Sequence, residues 1–223
     1  MTYRTISFSV QLVVCLLGLT FGPFLSACAG GIETREDALH ALASPEAAQR
    51  RDATNVLARL GSQADAEPLL EALRDDDTDV RSEAETAVWK LWGRSGDTSV
   101  DALLQSGIHY MNEGRMAQAL EIFTRIIERK PDFAEAWNKR ATAYYLTGDL
   151  DLSSKDCDEV LKRNPHHFGA LSGYGLIYLR RGELESALDY FERALEINPN
   201  MNSVEESIEL IRYQLRREGK EQT

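Results

Sequence analysis

The chain has 223 residues, of which 43% are hydrophobic and 27% charged, and its formal net charge is −11. That is the composition of an ordered globular protein, and six prolines beside abundant Ala, Leu, Glu and Arg favour helices over sheets. So acidic a chain lacks the basic surface that neutralises phosphates, which excludes nucleic acid as a partner.

Residues 1–28 hold no Asp or Glu and one basic residue, Arg4. An apolar run follows, densest from Leu12 to Leu19, and Pro23 and small residues end it. This is the order of a secretory signal. A spanning helix needs about 20 apolar residues, and Ser7, Ser9, Gln11, Gly22 and Pro23 interrupt the stretch from Ile6 to Phe24. The exit, Leu25-Ser26-Ala27-Cys28, resembles the lipobox of bacterial lipoproteins. That resemblance implies cleavage before Cys28, diacylglycerol on its sulfur and a membrane anchor. Ala29 in place of Asp implies the outer membrane, with the body of the protein in the periplasm. Cleavage after Ala29, which Ala27-Cys28-Ala29 also fits, and an uncleaved anchor stay open. The chain has three cysteines, Cys15, Cys28 and Cys157. Lipidation at Cys28 would leave one thiol in the mature chain and no internal disulfide.

Residues 33–93 predict four short amphipathic helices, over 34–43, 45–60, 64–74 and 78–92. Pro45 suits a first helical turn, and Gly61 and Gly93 suit helix ends. An offset of 32 residues aligns Ala48, Val56, Leu57, Leu60 and Gly61 with Val80, Val88, Trp89, Trp92 and Gly93. The pattern resembles two HEAT-like helical hairpins. The short joint at residues 93–97 predicts that this segment continues the following repeats as one solenoid.

From residue 98 a 34-residue period takes over. It relates Pro131, Pro165 and Pro199, relates Gly114, Gly148 and Gly182, and relates Tyr110, Tyr144 and Tyr178. The three units, 98–132, 133–166 and 167–200, each read as helix, glycine turn and helix. Small residues (Gly107, Ala141, Gly175) allow close approach of the first helix, and Phe123 and Phe191 fill the space between helices. The prolines stop each second helix. Residues 201–218 form a capping helix with Val204, Ile208, Ile211 and Leu215 on one face. The pattern of Leu171, Gly175, Tyr178, Gly182, Ala187, Phe191, Ala194 and Pro199 is similar to the tetratricopeptide repeat (TPR) family, with Leu171 in place of its usual Trp. In the second unit Ser153 and Cys157 replace the usual Ala and Phe. The segments 136–142 and 167–173 resemble exported bacterial members of that family. The fold class is therefore all-α, a right-handed α-solenoid of three TPR units and a cap, preceded by HEAT-like hairpins.

Residues able to carry chemistry are sparse. Asp75, Asp77 and Asp79 alternate like calcium ligands, but Val80 and Thr86 stand where an EF-hand loop needs Gly and Glu. An acidic helix cap is the simpler reading. His40, His109, His166 and His167 lack zinc spacing, and His166 and His167 are expected at the surface or groove. Cys157 takes the place of a packed Phe and reads as a buried, inert thiol. Arg140 occupies an apolar repeat position, its stem filling space while its head reaches solvent. Phosphate loops and nucleophile elbows are absent from the sequence. No cofactor, no metal and no catalytic residue is assigned.

The resemblance implies a concave groove lined by Leu104, Ile108 and Met111 from the first unit and by Asn138, Thr142 and Tyr145 from the second. Gly169, Gly173 and Leu176 come from the third. Gly169 and Gly173 are four apart in a helix and share a face, although each interior Gly costs about 1 kcal/mol relative to Ala. Either the bare backbone admits a partner segment or another helix of this chain packs there. The dicarboxylate clamp of chaperone-binding relatives has only Lys139 to offer here, so an apolar protein or peptide segment is the expected ligand. The expected function is a protein-binding scaffold or adaptor of the bacterial cell envelope. A permanent structural subunit of an envelope complex is the alternative, and an enzyme the remotest reading.

Overall fold

The structure, a computed structural model, describes residues 31–221. Among them are eleven α-helices and no strand. Four helices precede the repeats: α1 (Arg35–Ala41), α2 (Ala47–Leu60), α3 (Ala66–Ala72) and α4 (Thr78–Trp92). The repeats supply α5 (Thr98–Asn112), α6 (Met116–Arg129), α7 (Ala134–Thr147), α8 (Leu150–Arg163), α9 (Phe168–Arg181) and α10 (Leu184–Ile197), and α11 (Asn202–Glu221) follows. Pro45 lies outside its helix, ahead of the N-cap Glu46, so α2 begins two residues later than expected. The proposed signal and its Cys28 lie outside the described residues.

Each repeat turn is built alike. Gly114, Gly148 and Gly182 have φ of +74°, +88° and +77°, a left-handed conformation that side chains with a Cβ avoid. In every case the next residue's N–H reaches back five residues: Arg115 to Tyr110, Asp149 to Tyr144 and Glu183 to Tyr178, at 2.8–3.0 Å. This is the Schellman closure, and it satisfies carbonyls that the helix end would otherwise orphan. The 34-residue recurrence of glycine thus has a backbone cause.

Packing within each unit explains the other period. A Cβ on Gly107 would lie 2.9 Å from Phe123 Cδ1, and one on Gly175 would lie 2.8 Å from Phe191 Cγ. In the second unit the exchange is complementary: Ala141 stands for the glycine and Cys157 for the phenylalanine, and both are buried. Space vacated on α8 is taken up on α7. Ser153 Oγ also donates to the Ala141 carbonyl at 2.8 Å, so the small polar residue is satisfied where it is buried. On α11, Val204, Ile208 and Ile211 are buried and join Phe191 and Ala187 in closing the stack.

The N-terminal helices do not continue this stack end to end. On α4, Val80, Ala84, Ala87, Val88 and Leu91 are fully buried, and all but Val80 share a core cluster with residues of α1 to α3. At 100° per residue Trp89 points about 160° away from the mean of that face. It reaches α9 of the third repeat, where Phe168 joins the same cluster as Leu57, Leu69 and Leu91. Helix α4 therefore lies across the second and third repeats. The physical reason is two tryptophans, Trp89 and Trp92, with more apolar surface than the α1–α3 face covers.

Candidate groove on the first-helix face

The first helices of the second and third units, α7 and α9, form the floor of the candidate site. Its edge is a buried polar cluster. His167, fully buried, is the N-cap of α9: its Nδ1 accepts from the Ala170 N–H at 3.1 Å. That fixes the neutral ring's proton on Nε2, which donates to Glu135 Oε2 at 3.1 Å. Glu135 also meets Lys139 Nζ at 2.9 Å and accepts from Asn138 Nδ2 at 3.0 Å. Burial works to raise the Glu135 carboxyl, but the charge of Lys139 and the bond from His167 outweigh it and hold it down at about 2. His167 is thus a buried cap and not a surface or groove ligand, contrary to expectation, because its ring is enclosed by Trp92, stacked at 4.3 Å between centroids.

Of the nine expected groove residues, six surround one pocket. Asn138, Thr142, Tyr145, Gly169, Gly173 and Leu176 line a space of about 270 Å³ together with Lys139, Cys157, Trp89 and Met201. Leu104, Ile108 and Met111 do not reach it. Leu104 is 1% exposed in the core of the first unit, with Phe123, Phe133 and Ala136, and Ile108 and Met111 pack on that same core. Their apolar side chains are taken up by neighbouring helices, so the site is shorter than the three-repeat groove expected from register.

The two unexplained glycines differ. A Cβ on Gly169 would lie 2.5 Å from Trp89 Cη2, so its bare backbone is where α4 packs. The nearest atom to a Cβ on Gly173 is Cys157 Sγ at 3.6 Å, an ordinary contact beside the pocket. Trp89 meets Phe168 edge to face at 5.0 Å and Trp92 at 5.4 Å, with Lys139 Nζ 5.4 Å from its centroid. Sequence reasoning missed Trp89 and Met201; the surplus glycine of α9 was the one signal that something large arrives there.

Other side chains also take definite roles. Arg140 does not send its head to solvent: Nε and Nη2 bind Asp156 at 2.7 and 2.8 Å, and both partners are mostly buried. The partner Asp156, sixteen residues on, sits on the facing helix α8. Burial pushes the Cys157 thiol up to about 12, which leaves it protonated. In the acidic turn, Asp77 accepts from the Asp79 and Val80 N–H groups at 2.9 and 3.0 Å and so caps α4, while Asp75 pairs with Arg50 at 2.6 Å. Among the described residues no three His, Cys, Asp or Glu side chains converge as a metal site requires.

Models of the tetratricopeptide repeat match residues 104–159 and 132–200. A TPR repeat-containing protein of Rhizobium etli is 33% identical over 142 residues, which is 64% of this chain and 70% of that protein. Among solved structures, the TPR domain of Sgt2 from Aspergillus fumigatus aligns with a TM-score of 0.53 at 18% identity, covering 56% of this chain and 83% of that domain. The first TPR of Spaghetti (RPAP3), solved with an HSP90 peptide, aligns with a TM-score of 0.50 at 24% identity, covering 52% and 92%. With three units in phase, identical turn closures and these likenesses, the chain belongs to the tetratricopeptide repeat family.

Proposed function

We propose that this protein is a scaffold of the bacterial cell envelope, held at a membrane by lipid on Cys28, which uses its first-helix groove to capture a segment of a partner protein. The observation that carries the reading is the pocket of about 270 Å³ over α7 and α9, rimmed by Tyr145, Leu176 and Met201. Leu176 is 38% exposed there, an apolar side chain left uncovered at the mouth of a recess. Recesses of this kind, apolar with a few polar groups, are where anchor side chains of a partner dock. The partner is a protein or peptide, and neither a nucleic acid nor a metal ion.

The TPR of Spaghetti binds a peptide that ends in acidic residues, SRMEEVD. In the groove of this chain the cation Lys139 is already paired with Glu135 and lies over the Trp89 ring, and Gly169, Gly173 and Leu176 line the same recess. The segment captured here is therefore apolar rather than a carboxylate tail. Cross-linking in intact envelopes, followed by affinity capture, tests this by comparing the native chain with Gly173→Arg/Leu176→Asp. A protein lost only from the variant is the expected result; identical partner lists would refute the groove. Replacing Cys28 by Ser should release the chain from the membrane fraction, and a chain that stays bound would refute the lipid anchor.

A further inference from the structure

We infer that α4 is an intramolecular occupant of the groove, and that the outside partner presents an aromatic side chain to the notch over Gly169 in place of Trp89. This deepens the groove reading above and rests on it. The notch is shaped for a flat ring. Its floor is the bare backbone of Gly169, 2.5 Å from Trp89 Cη2 to the point where a Cβ would stand. Its walls are Phe168, His167 and Trp92, all in ring contact with Trp89, and Lys139 stands over the indole face. A cation over a ring and edge-to-face neighbours reward an aromatic side chain and give an aliphatic one much less.

The Trp89 ring is separable from the fold of α4. The face that holds it to α1, α2 and α3 carries Ala84, Ala87, Val88 and Leu91, and Trp89 is on the other side. Beyond the tryptophans, the edge of the unit is held by polar contacts. Arg81 Nε donates to Asn200 Oδ1 at 3.0 Å, Asn200 Nδ2 donates to the Leu73 carbonyl at 2.8 Å, and Arg74 donates to the Glu196 carbonyl. The covalent link to α5 passes through Gly96, exposed and at φ +80°. Trp92, stacked on His167, and Phe168, buried among Leu57, Leu69 and Leu91, hold α4 on α9, so what a competitor displaces is the half-buried Trp89 ring alone, with α4 left in place. The 270 Å³ pocket abuts Trp89 and gives a competing side chain its entry.

The test uses the purified full chain and two probes, N-acetyl-tryptophanamide and N-acetyl-leucinamide, titrated by ligand-observed NMR. Trp89→Ala should bind the aromatic probe at least tenfold more tightly than the native chain and should favour it over the leucine probe. Adding Gly169→Leu to Trp89→Ala fills the notch and should abolish the gain. Equal affinity in native and Trp89→Ala chains, equal binding of the two probes, or binding that survives Gly169→Leu would each overturn the inference. Circular dichroism checks that the variant is folded. Should Trp89→Ala unfold, Asn200→Ala removes the bonds to Arg81 and to the Leu73 carbonyl and should still raise affinity for the aromatic probe; no rise overturns the inference. The same Trp89→Ala chain in the envelope cross-linking separates the two readings. Probe binding without any captured partner leaves the occupant standing and removes the groove's proposed function, whereas capture of a partner without probe binding removes the occupant.

Discussion

Replacing Gly169 by Ala should change sign with the residue at position 89. In an isolated helix interior the substitution gains about 1 kcal/mol, because Gly loses more backbone freedom on folding. In the native chain the new methyl would stand 2.5 Å from Trp89 Cη2, closer than a Cβ tolerates. The indole cannot yield cheaply, since Phe168 and Trp92 contact its ring at 5.0 and 5.4 Å. Overpacking of this kind costs about 1–3 kcal/mol, so the net change is a loss of roughly 0–2 kcal/mol. With Trp89→Ala in place, the nearest atoms left are His167 Cε1 at 3.2 Å and Nδ1 at 3.4 Å. A shift of a few tenths of an ångström accommodates them, and Gly169→Ala becomes stabilising by about 0.5 kcal/mol. A double-mutant cycle by urea unfolding at 25 °C should therefore show coupling of about 0.5–2.5 kcal/mol between the two positions. Additivity within about 0.5 kcal/mol would mean that Trp89 does not occupy the notch in solution, and the reasoning from glycine to occupant would fail.

Four further outcomes follow from the same geometry. Gly173→Ala, which meets only Cys157 Sγ at 3.6 Å, should raise stability by up to about 1 kcal/mol, while Gly175→Ala, pressed against Phe191, should lower it by about 1–3 kcal/mol; urea midpoints decide both. Glu135 has a folded-state carboxyl at about 2, below its unfolded value, so its contribution is complete above about pH 4.5 and is lost as the pH falls towards 2. Thermal melts of Glu135→Gln should lack the part of the acid limb that falls in that window. Arg140→Ala leaves the Asp156 carboxylate buried without its bidentate partner and should cost about 3 kcal/mol, with Arg140→Ala/Asp156→Ala less destabilised than the sum of the single changes. Cys157, 2% exposed and with its thiol pushed up to about 12, should resist iodoacetamide at pH 8 in the folded chain and react once the chain is unfolded in urea, as read by peptide mass.

The repeats were legible because their residues answer to local rules. A left-handed glycine, a proline after the helix and a small residue facing a ring each leave a mark at one sequence position, and the 34-residue period repeats the first two marks three times and the third twice. The polar cluster was less legible, since His167 is read from its own neighbours as a surface residue. Its actual partners, Glu135 and Trp92, lie 32 and 75 positions away, and no periodicity ties them to it. The same holds for Arg140, whose repeat position suggests a solvated head although Asp156 waits on the next helix. The groove shows the asymmetry most clearly. Close packing requires one residue to yield and another to fill, and only yielding is visible in a single sequence, as a glycine that costs helix stability without a turn to justify it. Gly169 therefore marked the notch in advance. The filler could have been a partner or this chain, and deciding between them needed the position of Trp89, on the face of α4 that its own hairpin leaves uncovered. A surplus glycine in a helix is thus a prediction of contact, and the identity of the contacting group is a property of the fold.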